Sequence, residues 1–348
     1  MLKRRTFLLG GADAVGALLV GWSVMPPGQQ LTTSTPLPLA EGQVALNGWV
    51  KIAADNSVTI MMCKAEMGQG VHTGFAMLLA DKLDADWSRV RVESSPVDRI
   101  YNSAQSIVDD PSFRPDDEGT MKRTAVWFTR KLMREGGTVA TFDASVAQSM
   151  PGFIKAFAVA PYNGGTGGVA VIASNAFRAM NTVNAIKVEW NHGDAAQLSS
   201  AHVIDQLCLA LNDRDGHAYY RQGDVDAALN RAARTVSAEY HAPYLAHGAV
   251  EPVNCTVQFD DGAATVWAAT QVPALTRHHV AKVLNIDADK VDLQQQLLGG
   301  AFGRRLELDF ISQAAMIACE GSGRPMQTIW SRAQDFTHDF IGRPACRT

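Results

Sequence analysis

Regular alternation of apolar and polar positions begins near Trp49. Trp49–Ile52 and Ser57–Met62 read as strands on either side of the turn Ala54-Asp55-Asn56. The glycine-bearing stretch Glu66-Met67-Gly68-Gln69-Gly70 follows, and then the period changes. Phe75, Leu78, Leu79 and Leu83 fall at i, i+3, i+4 and i+8, which predicts a helix over His72–Leu83 with those four on its apolar face. Arg89–Glu93 predicts a further strand, so the unit is strand, glycine loop, helix, strand. Residues 98–119 are polar and carry Pro111 and Pro115, as a surface excursion does. Thr120–Arg134 predicts a helix ended by Gly136-Gly137.

A second block starts at Thr138 with strand-like TVATF, IKAFAV and GGVAVIA, a helix over Ala176–Ala185 and a strand over Ile186–Trp190. A polar helix and loop follow over 191–224, then a short helix over Asp224–Ala233. Strands are predicted at Thr235–Tyr240, Asn254–Phe259, Ala264–Ala268 and Val291–Leu297, with helices at Pro273–Leu284 and Leu306–Glu320. Strands and helices mixed in this way make an α+β chain. No short-period repeat is visible.

The N-terminus has a different character. Lys3-Arg4-Arg5 precedes an apolar stretch interrupted by Asp13, the layout of a twin-arginine export signal over residues 1–25. A Pro/Thr-rich linker over 26–41 follows. The expectation is a periplasmic protein exported folded, and membrane-associated if the signal stays uncleaved.

Composition narrows the function classes. The chain has 348 residues, is 47% hydrophobic and carries 31 basic against 35 acidic residues, net −4. It is too apolar to be disordered and gives no support for nucleic-acid binding. Cys63, Cys208, Cys255, Cys319 and Cys346 are scattered without C-x2-C spacing. Neither a disulfide scaffold nor an iron–sulfur cluster is expected, and no metal-ligating residues are assigned. The cysteines read as buried free thiols. His278-His279 reads as a packing or surface pair, because adjacent positions on a helix point in different directions. His247 reads as a structural hydrogen-bonding residue.

Two glycine loops carry the candidate chemistry. Gly68-Gln69-Gly70 lies between a predicted strand and helix, where glycines permit positive φ and a helix N-terminus favours an anionic or oxo-rich ligand. Gly299-Gly300-Ala301-Phe302-Gly303-Arg304-Arg305 has the same placement and adds two guanidinium groups suited to phosphate. It is neither a P-loop nor a dinucleotide fingerprint. The plainer alternatives are a tight turn for the first loop and, for the second, a solvated face of Arg304 and Arg305 with Glu307 and Asp309.

The stretches EMGQGVHTGFAMLLADKLDADWSRVRVE, APYLAHGAVEPVNCTVQF, ATQVP and LLGGAFGRR together resemble the large subunit of the molybdenum hydroxylases, the xanthine dehydrogenase/aldehyde oxidase family, and in particular the isoquinoline 1-oxidoreductase beta subunit. The resemblance extends over nearly all of residues 40–345. It implies a multi-domain molybdopterin-binding large-subunit fold that is incomplete here. The implied parts are an N-terminal molybdopterin-binding segment at 42–136, a partial hammerhead-like module at 137–192 and a truncated molybdopterin-binding domain at 215–348. It also implies that Gly68, Gln69 and Gly70 contact the molybdopterin dinucleotide, that Gln271 lies beside an oxo ligand of molybdenum, and that the backbone of Phe302 and Gly303 reaches the metal centre. Gly299, Gly300 and Ala301 complete that loop, with Arg304 or Arg305 toward the cofactor phosphates.

The implied cofactor is molybdenum-molybdopterin in its cytosine dinucleotide form, with [2Fe–2S] only in a partner small subunit. The implied reaction is hydroxylation of an N-heteroaromatic or aldehyde with oxygen from water. Three departures stand out. The Gly-x-Gly-Glu context of the family's catalytic glutamate is absent from the sequence, so no catalytic residue is assigned, and neither Glu251 nor Glu307 is promoted to the role. Arg134–Val139 looks like a join across a deletion that would leave the 138–190 module short of strands. Ala301 replaces a glycine, at a cost of about 1 kcal/mol or more if that position needs positive φ. The competing expectation is a catalytically inactive remnant or partner-binding module. A separate chain could supply the missing half, and an anion-binding module without redox function is a third possibility.

Overall fold

The computed structural model describes residues 32–101, 138–162, 167–191, 193, 199–211, 220, 222–339 and 345–347. The signal, most of the linker, the 120–134 helix and the join before Thr138 lie outside the described residues. No described helix is long and apolar enough to cross a membrane. The described residues fall into two units that do not follow chain order: residues 32–101 with Ala249–Ile329, and residues 138 to 248 with those from Trp330 onward.

The first unit opens with β1 (Gln43–Ala45), β2 (Val50–Ala53), β3 (Val58–Met62) and β4 (Val90–Ser94), paired in that order. β1 to β3 form an antiparallel meander. β4 joins β3 in parallel, because α1 (Val71–Leu83) crosses over between them. Every residue of β3 is buried, as a strand covered on both faces requires. The helix forms where predicted, but its inward face differs from the prediction. Ala76 and Ala80 are buried, whereas Phe75, Leu78 and Leu83 are 48%, 64% and 40% exposed. Ala76 packs into the cluster of Val50, Val58, Ile60 and Met62. Small side chains and Leu79 face the sheet, and the other three residues of the bulky stripe, the stronger periodic signal, lie outward. The excursion predicted from residue 98 is also packed at its start, with Ile100 and Tyr101 buried and Trp49 edge-on to Tyr101 at 4.9 Å.

The second unit contains β5 (Thr138–Asp143), β6 (Phe153–Val159), β7 (Gly168–Ala173), α2 (Ala176–Ala185), β8 (Lys187–Asn191), α3 (Ser200–Ala210), α4 (Val225–Asn230) and β9 (Tyr240–Ala242). β5 pairs only with β8 and β6 only with β7, two separate two-stranded ladders among the described residues. The strand predicted at Thr235–Tyr240 shrinks to β9, three exposed residues.

The chain then returns to the first unit with β10 (Asn254–Asp260), β11 (Ala263–Ala268), α5 (Pro273–Leu284), β12 (Val291–Gln295), α6 (Asp309–Ala318) and β13 (Met326–Ile329). The sheet order is β12-β11-β10-β13. β10 and β11 form an antiparallel hairpin, and β12 lies parallel to β11 after the α5 crossover. The two halves of this unit therefore repeat one plan, a hairpin, a crossover helix and a parallel strand. The detail repeats too: α1 ends on left-handed Asp84 and α5 on left-handed Asn285, and each is followed by a 3-10 turn into its parallel strand. About two hundred residues and dissimilar side chains hide this repeat from a sequence scan. Finally α7 (Arg332–Thr337) and β14 (Ala345–Arg347), which pairs with β9, complete the second unit.

His279 on α5 ties the crossover helix to α6 through a 2.6 Å contact between Nε2 and Ser312 Oγ. Burial, with a contribution from Lys282, pushes its pKa down to about 4 from 6.5. A depressed histidine favours the fold while both states are neutral. As pH falls below about 6.5 the unfolded chain takes up a proton first, and stability drops until the folded pKa near 4 is reached. A difference of that size corresponds to roughly 3 kcal/mol. Denaturant titrations from pH 7 to pH 4 should show this loss, and His279→Gln should flatten that component.

Candidate functional site

In open α/β arrangements ligands sit beyond the carboxyl ends of parallel strands. Here three segments meet there: Glu66–Gly70 after β3, Thr270-Gln271-Val272 after β11, and Gly299–Arg305 after β12. The first two occupy the same place in the repeated plan, so Gln69 and Gln271 are topological counterparts. All three segments are bonded together. Leu298 N donates to Glu66 O at 2.9 Å, and Gln271 N donates to Arg305 O at 3.0 Å. Ala269, Leu298 and Ala301 form a buried cluster against Ala65 and Met67. The two glycine loops, far apart in sequence, thus share one wall, while Gly68, Gln69, Gly70 and Phe302 face solvent on it.

The first loop is organised by its own carboxylate. Glu66 Oε1 accepts from Gly68 N at 2.9 Å and Gly70 N at 3.0 Å, and Oε2 accepts from His72 N at 2.9 Å. These bonds, led by the one from His72, hold the Glu66 carboxyl below the usual range. Gly68 and Gly70 have φ of 94° and 77°, and a Cβ at either would meet nothing within 4 Å. Backbone conformation, not crowding, requires glycine there. Gln69 folds back, with Nε2 donating to Ala65 O and Oε1 accepting from Met67 N. The N–H groups that would cradle an anion here are already engaged by Glu66. Glu66→Ala should release Gly68 and Gly70, seen as faster amide exchange confined to residues 66–72. Glu66→Gln, which keeps an acceptor, should retain part of the protection.

The second loop is built the other way. Its two ends are clamped: Gly299 N donates to Glu251 Oε2 at 2.9 Å, Glu251 N donates to Gly299 O at 3.1 Å, and Arg304 N donates to Ala301 O at 2.9 Å. A Cβ on Gly299 would lie 2.5 Å from Glu251 Cβ. Gly300, Phe302 and Gly303 have φ of 102°, 53° and 99°. Residues alternating between left- and right-handed backbone can form an anion-binding concavity, and here Gly300 and Phe302 alternate with Ala301. Ala301 is not left-handed and is 2% exposed. The strain expected for alanine there is absent, because Ala301 is a core residue packed against the first loop. Strain sits instead at Phe302, 72% exposed and left-handed, as residues held for function often are.

Arg304 and Arg305 are not a solvated ion-pair face, and neither side chain is displayed outward toward a phosphate. Arg304 is 1% exposed and pairs with both oxygens of Asp309, at 2.8 and 2.9 Å. Arg305 is fully buried and donates to Glu251 O at 3.1 Å and Glu251 Oε2 at 3.2 Å. Both guanidinium groups lie 5.5–5.7 Å from the Phe310 ring. They fix the loop from beneath. Sequence reasoning missed Glu66 and Glu251 as loop organisers; the signal was a glutamate at i−2 of one glycine and, for Glu251, nothing local.

Gln271 differs from its counterpart Gln69. Its Oε1 is buried and without a hydrogen-bond partner among the described residues. A buried acceptor left unsatisfied costs about 1–3 kcal/mol, a cost that a ligand hydrogen bond would remove. The orphaned Gln271 oxygen fits a ligand N–H or O–H donor, whereas only the backbone N–H groups of the loop beside it suit an oxo or phosphate acceptor. Elsewhere, His247 is structural as expected, with Nδ1 2.9 Å from Asp339 Oδ1, while His278 is exposed and His279 packed. Among the thiols Cys255 is buried, with its pKa pushed up to about 12 by burial; Cys63 and Cys208 are half-buried and Cys319 exposed.

Residues 12–107 and 211–346 each match a molybdopterin cofactor-binding domain family. The chain belongs to the molybdenum hydroxylase family, the xanthine dehydrogenase/aldehyde oxidase group, as a large-subunit relative. It is 24% identical to the membrane-bound aldehyde dehydrogenase [pyrroloquinoline-quinone] of Gluconacetobacter polyoxogenes, over 99% of this chain and 57% of that protein. It is also 24% identical to the isoquinoline 1-oxidoreductase subunit beta of Brevundimonas diminuta, over 99% of this chain and 61% of that one. The chain thus spans about three-fifths of these relatives' lengths. Among solved structures, quinoline 2-oxidoreductase from Pseudomonas putida 86 aligns with a TM-score of 0.41 and 17% identity, over 57% of this chain and 30% of that one.

Proposed function

We propose that this chain is the molybdopterin-binding part of an oxidoreductase that hydroxylates an N-heteroaromatic or aldehyde substrate with oxygen from water. The buried, unpartnered Gln271 Oε1 beside the open Gly300–Gly303 loop carries the reading. The bound group supplies the two-electron redox chemistry of the hydroxylation. This chain's residues bind and orient it: the Gly300, Phe302 and Gly303 backbone donates N–H groups, Gln271 offers its amide, and the outer surface of Gly68-Gln69-Gly70 closes one side. Glu66 and Glu251 hold the two loops in place.

The cytosine dinucleotide form suits a site with phosphate-directed amides, and electrons would leave through a [2Fe–2S] small subunit. A further chain supplying the remaining length would bring the catalytic base. Lys3-Arg4-Arg5 supports export to the periplasm by the twin-arginine route.

The test is co-expression with an iron–sulfur small subunit and a relative's C-terminal half, followed by molybdenum and pterin analysis of the purified complex. Stoichiometric metal and pterin, reduced several-fold by Gln271→Ala, is the expected result. A folded complex without either would overturn the reading and leave an inactive remnant.

A further inference from the structure

We propose that the second unit carries a separate site for a borderline-soft divalent cation of the zinc type, formed by Cys208, Glu239 and His241. These residues come from elements distant in sequence. Cys208 lies on α3, whereas Glu239 immediately precedes β9 and His241 is its middle residue, a two-residue spacing that places both on one face of extended backbone. Cys208 Sγ is 3.9 Å from His241 Nδ1 and 4.0 Å from Glu239 Oε1. His241 Nε2 lies 2.5 Å from Glu239 Oε1. The three candidate ligand atoms all fall within 4.8 Å of one another.

Tetrahedral zinc, with bonds of about 2.3 Å to sulfur and about 2.0–2.1 Å to nitrogen or oxygen, separates its sulfur from its other ligands by about 3.6 Å. The observed spacings need to contract by only about 0.3–0.4 Å on that figure. Half-exposed side chains on a helix face and a three-residue strand accommodate such a change. His241 would bind through Nδ1, the nitrogen facing the thiol. Glu239 would then either turn an oxygen to the ion or keep its bond to Nε2–H, the carboxylate–histidine–metal arrangement that fixes the ring. Water would complete the shell.

Thiolate, imidazole and carboxylate together select zinc, cobalt or nickel over magnesium or calcium. Binding displaces the thiol proton, so affinity rises with pH. An exposed Glu239–His241 ion pair by itself would not require a thiol beside it. All these residues belong to the second unit.

The experiment is a cobalt(II) titration of the full reduced chain, read by thiolate-to-cobalt charge-transfer absorption, with zinc then added to bleach the band. The expected result is one band, abolished by Cys208→Ser and weakened about tenfold or more in affinity by His241→Ala. Cys63→Ser and Cys319→Ser should leave it intact. No band from chain shown to be folded by circular dichroism overturns the proposal. So does a band that survives Cys208→Ser or disappears in Cys63→Ser.

Discussion

Asp309→Ala is expected to lower the stability of the first unit by about 3–5 kcal/mol, because it strands the Arg304 guanidinium at 1% exposure without its carboxylate. Whole domains are stable by only about 5–15 kcal/mol, so this one change removes a large share. Both oxygens of Asp309 are engaged, and α6 begins at this residue, so the pair fixes the start of the helix as well as the loop before it. Losing it should free residues 299–308 to rearrange and lower the urea midpoint. The double variant Arg304→Met/Asp309→Leu removes both charges and should recover most of the loss, since apolar replacement of a buried pair is often neutral or better. If the double variant were as unstable as the single, packing and not the pair would be responsible.

Glu251→Ala should have the next largest effect, about 1.5–3 kcal/mol, the usual range for hydrogen bonds to charged groups. The carboxylate joins three parts of the site at once: Gly299 N, the Arg305 guanidinium and Asn254 Nδ2. Arg305 would keep Glu251 O, so the unit should still fold. The loss should fall on the second loop, as faster amide exchange over 299–303 and weaker retention of molybdopterin. Glu251→Gln keeps an acceptor and should recover part of both. Gly299→Ala should reach a similar end by another route. Its methyl would meet Glu251 Cβ at 2.5 Å, and overpacking of this kind costs about 1–3 kcal/mol.

Much of the fold was legible because local signals and tertiary demand agreed. Pro273–Leu284 and Ala176–Ala185 have the ends predicted for them, where a proline at the first helical turn and Asn175, whose side chain caps Arg178 N, mark the starts. The inward face of α1 was misread because hydrophobicity ranks phenylalanine and leucine above alanine, whereas close approach to β3 selects for size. The resemblance implied a phosphate-facing role for Arg304 or Arg305, with a solvated face as the plainer alternative, and neither expectation carries burial. Only burial under the loop, against Phe310, makes them internal struts.

Sequence alone determined the α+β alternation and the position of both glycine loops, because these depend on residue type at short spacing; the family followed from the resemblance of four motifs taken together, and Gln271 was implied by that resemblance alone. Tertiary structure decided how those pieces are used. Leu298 and Glu66 meet only when two sheets are assembled, Glu251 reaches Gly299 across 48 positions of chain, and Cys208 reaches His241 across 33. Carboxylates and amides carry no local mark of which partner they will find, so which loop holds its own anion and which stays open was settled by packing.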